Sequence, residues 1–137
     1  MRNSQELVLS CVHAAIDKKA DHSLIFNVSK VGAFTDYFLI TSGASERQVQ
    51  AIADEVIRVT REFGHKRPIV EGYDEGRWVL LDFGAVIVHV FHDYIREYYD
   101  LESLWGEAPR LPIPEEFYTT AAVPAHASRA PGGASAR

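Results

Sequence analysis

Apolar residues recur along NSQELVLSCVHAAIDKKA at the spacing of one helical face: Leu7, Val8, Cys11, Val12, Ala15 and Ile16. Asn3 or Ser4 is placed to cap the free amides at the start of this helix, and Lys18 and Lys19 suit the negative end of its dipole. SLIFNVSK then reads as a strand running into a polar turn. DYFLITSG reads as a second strand, with Tyr37, Phe38, Leu39 and Ile40 bounded by Asp36 and Gly43. The clearest amphipathic pattern is ASERQVQAIADEVIRVTREFG. Val49, Ile52, Ala53, Val56 and Ile57 line one face and Phe63 continues it, while Gln50, Asp54, Glu55, Arg58, Arg61 and Glu62 take the other. Ser45 and Gln48 have the spacing of a capping box, in which each end satisfies an amide of the other, and Gly64 supplies a stop.

After Pro68 the pattern changes to short strands, predicted over Ile69 to Glu71, Arg77 to Asp82 and Val86 to Phe91, with glycine turns between them. In the last of these, Val86, Val88 and Val90 face one way, and Ile87, His89 and Phe91 the other. HDYIREYYDLESLW reads as helical with a break near Asp100. The order helix, two strands, helix, three strands, helix predicts an α/β or α+β fold with helices packed on one sheet. From Phe117 onward the chain is rich in small residues, proline and glycine, which predicts a domain over 1–116 and a disordered tail over 117–137. LPIPEE before that boundary is either an extended coil lying on the domain or the beginning of the tail.

At 137 residues and 47% hydrophobic content, the chain can build one core but not two ordinary domains. Its formal net charge of -5 creates no positive field toward a nucleic-acid backbone. That charge suits a basic partner, or simply solubility. Cys11 is the single cysteine, so no internal disulfide forms, and its place in an apolar pattern predicts a buried, inert thiol. MRNSQELVLS lacks the apolar run of a signal peptide, and no stretch approaches the roughly 20 apolar residues of a membrane helix, so the expected location is cytoplasmic.

Candidate chemistry is sparse. TSGASERQ crosses a strand-to-helix junction whose amides could hold an anion, but its spacing matches neither the phosphate loop nor the dinucleotide fingerprint. A capping turn is the simpler reading, and a nucleotidyl- or phosphoryl-transfer site is the alternative. His89 and His92, with Asp93 and Asp82, do not supply a convergent set of three or four metal ligands. His89 could instead pair with Asp82 across neighbouring strands. Ser42, Ser45 and Asp36 belong to no defined catalytic signature, Asp74 and Glu75 sit in a glycine-bounded turn, and Asp36 and Asp82 are isolated carboxylates rather than a magnesium-holding pair. No catalytic residue, metal or cofactor is assigned. Trp78 and the run Tyr98, Tyr99, Asp100, Leu101, Glu102, Leu104, Trp105 are more informative, because aromatics set among carboxylates suit contact with a basic protein. Core packing is the competing role, equally open for Trp105 and the better fit for Leu101.

Taken together, DYFLITSG, SERQVQAIADEV, the EG before RWVLLDFG, VIVHVF and REYYDLESLW closely resemble the ribosomal silencing factor family, also called RsfS, Iojap or YbeB. The match runs in order from about Leu7 to Trp105. The resemblance implies a single compact domain with a mixed five-stranded sheet flanked by helices, like a nucleotidyltransferase fold without its catalytic carboxylates. It implies a homodimer with a non-enzymatic role, which binds the large ribosomal subunit through its fourteenth protein, a basic protein at the subunit-joining face. Small-subunit joining is thereby blocked and translation repressed when nutrients are short, with no membrane and no direct sequence-specific nucleic-acid binding. By position, Trp78 matches a family contact residue, and Tyr99, Leu101, Glu102, Leu104 and Trp105 match the closing aromatic-acidic motif, with Tyr98 and Asp100 beside them. Asp82 and His89 match recurrent positions of structural or interfacial role. The family commonly has Gly-Asp before VIVH, whereas Gly84 is followed here by Ala85.

Overall fold

The computed structural model describes residues 3–31 and 34–122. Helix α1 (Ser4–Asp17) is followed by strands β1 (Asp21–Asn27) and β2 (Tyr37–Gly43), helix α2 (Glu46–Glu62), strands β3 (Ile69–Glu71), β4 (Trp78–Asp82) and β5 (Val86–His92), and three short helices. These are α3 (Asp93–Tyr99), α4 (Leu101–Leu104) and α5 (Glu115–Ala122). The five strands form one sheet in the order β1-β2-β5-β4-β3. Only β2 and β5 run parallel; the other pairs are antiparallel, so the sheet is mixed as expected for an α+β domain.

Helices α1 and α2 cover one face. All six apolar positions read as the buried stripe of α1 are buried, and the stripe of α2 is sealed at Val49, Ile52, Ala53 and Val56. Val79, Leu81, Val86, Val88 and Val90 meet them from the sheet. Phe63 departs from the expected pattern: it is the C-cap, exposed, and Thr60 takes the buried position one turn earlier. His65 N donates to Thr60 O, Gly64 N donates to Arg61 O, and Gly64 has φ 91, which together make a Schellman ending. Burial drives the Cys11 thiol pKa upward and keeps it protonated.

The opposite face holds a second, smaller core of Phe26, Val28, Phe38, Ile40, Phe91 and Ala108, with Leu24, Ile87, Ile95, Leu101 and Trp105 packed on it. Because both faces are covered at its centre, all seven residues of β2 are buried, which explains why DYFLITSG shows a continuous apolar run rather than alternation.

The capping box is only half formed. Gln48 N donates to Ser45 Oγ at 3.0 Å, but the Gln48 side chain does not return to the Ser45 amide. Its Oε1 accepts from Ala44 N at 2.7 Å, and its Nε2 donates to Lys18 O at 3.1 Å and Lys19 O at 3.0 Å. One amide thus ties the C-terminus of α1 to the N-terminus of α2. The Cβ position of Gly43 lies 3.2 Å from Gln48 Cγ and Oε1, so a side chain there would crowd this tie.

The LPIPEE segment lies on the domain. Asn27 N donates to Pro109 O, Leu111 N donates to Ile25 O, and Arg110 pairs with Phe26 as a single antiparallel bridge along β1. The boundary placed after Glu116 falls inside α5, where Phe117 stacks on His13 of α1 with centroids 4.2 Å apart. The predicted tail therefore begins with helix, and its remainder, 123–137, lies outside the described residues.

Gln48→Ala removes three side-chain hydrogen bonds, two of them bridging helices, and should lower unfolding free energy by about 1–3 kcal/mol. Urea denaturation checks this: the midpoint should fall with an unchanged slope.

Candidate protein-binding site

The parallel pairing of β2 with β5 sets Gly43 opposite His92, so α2 and α3 begin side by side at the same end of the sheet. His92 caps α3, its Nδ1 accepting from Tyr94 N at 3.3 Å. Arg96 is the one buried residue of α3, and the helix stops at Asp100, which adopts the left-handed conformation (φ 49, ψ 51). That reversal sends α4 off in a new direction, as the sequence break near Asp100 predicts.

The outer surface of this kinked pair carries large apolar side chains with little cover. Tyr94 is 78% exposed, Tyr98 80%, Tyr99 54% and Leu104 70%. Two of the tyrosines join an aromatic chain: Tyr98 meets Tyr99 edge-on at 5.0 Å, and Tyr99 lies 5.0 Å from Trp78, which packs 4.9 Å from Phe91, while Tyr94 stacks on His92. Trp78 is half-buried at the start of β4. The turn before it is held rigidly, because Gln50 Nε2 donates to Tyr73 O and Asp74 O, and Tyr73 Oη donates to Asp54. Gly72 (φ 79) is required there, since a Cβ would lie 2.2 Å from Trp78 O.

The expected partner of His89 is corrected. Leu80, not Asp82, lies opposite His89, and Asp82 pairs with Ile87. Asp82 Oδ1 instead accepts from Gly84 N at 2.8 Å, and His89 Nδ1 accepts from Trp78 Nε1 at 3.1 Å. Phe38 meets His89 edge-on at 5.6 Å. Burial lowers the His89 pKa to about 4, so the ring is neutral near pH 7 and holds Trp78 as an acceptor. Ala85 offers its carbonyl to Asp36 N and Tyr37 N, so the backbone fastens this turn to β2.

Among the other expected contact residues, Trp105 is half-buried and meets Phe38 edge-on at 5.0 Å, and Leu101 packs into the same core. Both anchor α4. Asp100 Oδ2 accepts from Ser103 Oγ at 2.6 Å. Glu102 turns inward to Arg96, with Nε to Oε1 and Nη2 to Oε2 both at 3.2 Å. The predicted set thus divides into an exposed part (Tyr98, Tyr99, Leu104), a hinge (Asp100) and an anchoring part (Leu101, Glu102, Trp105).

The junction at TSGAS is engaged internally. Ala44 N and Gln48 N already have side-chain acceptors, and Ser42 Oγ donates to Asp21 O. Among the described residues no group of three or more histidine, cysteine or acidic side chains is arranged to hold a metal ion, and no helix is long and apolar enough to cross a membrane.

A family model described as ribosomal silencing factor during starvation matches residues 1–136. The chain belongs to the ribosomal silencing factor family. A member from Halalkalibacterium halodurans named ribosomal silencing factor RsfS is 47% identical over 111 residues, spanning 81% of this chain and 95% of that protein. A crystal structure of a protein from Chromobacterium violaceum superposes with a TM-score of 0.74 at 35% identity, covering 77% of this chain and 88% of that one. A mouse relative named mitochondrial assembly of ribosomal large subunit protein 1 is 36% identical over 75 residues, which cover 53% of this chain and 33% of that protein. The silencing factor resemblance read from the five motifs is therefore correct, and so is the five-stranded sheet flanked by helices.

Two residues of the site escaped the sequence reading. Tyr94 precedes Tyr98 by one helical turn, and that spacing was the available signal. Arg96 carries no signal in the sequence, since its burial depends on the sheet beneath α3.

The pH dependence of stability follows from His89. The unfolded ring binds a proton near pH 6.5, whereas the folded one resists until about pH 4. Stability is therefore complete above pH 6.5 and declines as pH falls toward 4, by about 3 kcal/mol over the window. Denaturant midpoints at successive pH values check this, and His89→Gln should flatten the slope between pH 6.5 and 5.

Proposed function

We propose that this chain silences translation by binding the large ribosomal subunit and sterically blocking the small subunit. The contact is made through the basic fourteenth protein of the large subunit at its joining face. The observation that carries this reading is the exposure of Tyr94, Tyr98, Tyr99 and Leu104 on α3 and α4, on a chain of net charge -5. Exposed aromatic anchors supply contact energy, and a surrounding negative field favours and orients a basic partner. The name of the mouse relative, which refers to the ribosomal large subunit, points to the same particle. The protein acts in this reading in the cytoplasm, as a homodimer and by occlusion rather than by catalysis, with repression called on in starvation as the family's description says.

Co-sedimentation with isolated large subunits at micromolar concentration tests the binding. The bound fraction should lose its capacity to join small subunits, as read by light scattering. Tyr98→Ala and Leu104→Ala should each weaken binding about tenfold or more while leaving far-UV circular dichroism unchanged. Trp105→Ala should instead destabilise the fold by about 3 kcal/mol, because the ring packs in the second core. Wild-type protein that stays in the supernatant would overturn the reading. Magnesium-dependent nucleotide binding by calorimetry would favour the transferase alternative.

A further inference from the structure

We propose that Arg96 and Glu102 form an internal latch that fixes the angle between α3 and α4, and so positions the exposed tyrosines and Leu104 for their partner. The inference rests on the protein-binding reading above, and it reassigns Glu102 from contact residue to positioning residue.

The two residues are six apart in sequence, which on an unbroken helix would separate them by about 9 Å along the axis and about 120° around it. They meet only because Asp100 reverses the backbone into the left-handed region. The ion pair is thus a property of the kink. Its geometry is a planar fork, with Nε and Nη2 of Arg96 each 3.2 Å from a different oxygen of Glu102.

The remaining nitrogen ties this fork to the sheet. Arg96 Nη1 donates to Ser42 Oγ at 3.1 Å and to Asp21 O at 3.3 Å, at the adjoining ends of β2 and β1. Arg96 is 8% exposed and cannot reach a partner, whereas the Glu102 side chain is 30% exposed. Helix α4 is a single turn with no buried residue, so this fork, with Leu101 and Trp105, is what holds it in place. Exposed carboxylates remain to face a basic surface at Asp93 and Glu97 on α3 and at Asp100 and Glu107 around α4.

A double-mutant cycle on the full chain tests the latch. Arg96→Lys keeps the charge but loses the fork, and Glu102→Gln keeps the shape but loses the charge. Hydrogen exchange of the amides of Ser103, Trp105 and Ala108 is measured beside that of α1 and α2. Each single variant should speed exchange in α4 about tenfold and leave α1 and α2 unchanged. Each should also raise the dissociation rate from large subunits about tenfold, with the double variant no worse than either single one. The salt dependence of the association rate should stay at its wild-type value in these variants and flatten in Glu97→Gln. Exchange in α4 that matches wild type would overturn the latch. So would a Glu102→Gln effect that adds fully to that of Arg96→Lys, because additivity marks direct contact of Glu102 with the partner. If wild-type protein does not bind subunits at all, the ribosomal reading fails, and the exchange data alone decide whether the latch exists.

Discussion

The parallel pairing of β2 with β5 is the constraint on which the rest of the molecule depends. Two adjacent parallel strands need a crossover connection, and here the crossover contains α2, β3 and β4. The pairing also makes both central strands finish at the same end of the sheet. Helices α2 and α3 therefore start as neighbours, and Arg96 on one reaches the Ser42 hydroxyl that closes the strand before the other. Reversing that register would separate the buried arginine from its hydroxyl and carbonyl partners.

The two faces of the sheet are finished differently. One is sealed by two long helices whose ends are tied by a single glutamine amide, and its core is continuous and aliphatic. The other is covered by two short helices meeting at a kink, and its core is smaller and aromatic. Short helices cannot seal a sheet, so side chains with apolar bodies remain in solvent there. A surface with several large rings at half or more of full exposure is unusual for a protein that needs no partner. The face under the two long helices is closed, and the other face is the one that leaves Tyr94, Tyr98, Tyr99 and Leu104 in solvent.

Much of this was legible in the chain. Helical periodicity located α1 and α2, alternation divided β5 into its two faces, and the break at Asp100 was visible as a change in pattern. What the sequence concealed depended on register and on burial. The bond from Trp78 to His89 needs the β4–β5 pairing, which sets Trp78 opposite Phe91 and so diagonal to His89. Asp82 was the more obvious chemical partner, but the pairing sets it opposite Ile87. Arg96 has the composition of a surface residue, and only the sheet beneath α3 buries it. Residues 117–122 read as tail because the chain from Phe117 onward is rich in small residues, proline and glycine, yet they belong to α5, and Phe117 stacks on His13 of α1.

The strap formed by Pro109, Arg110 and Leu111 has a consequence for the behaviour of the protein in a crowded cell. It occupies backbone groups of β1 at Ile25 and Asn27 and lays the Arg110 guanidinium over Phe26 at 4.7 Å. Strand addition from another chain is thereby obstructed on that side of the sheet. The opposite border is only the three residues of β3, preceded by Lys66, Arg67 and Pro68, a poor template for cross-β growth. A molecule with several large rings in solvent is thus guarded at both borders of its sheet against the most hazardous form of self-recognition.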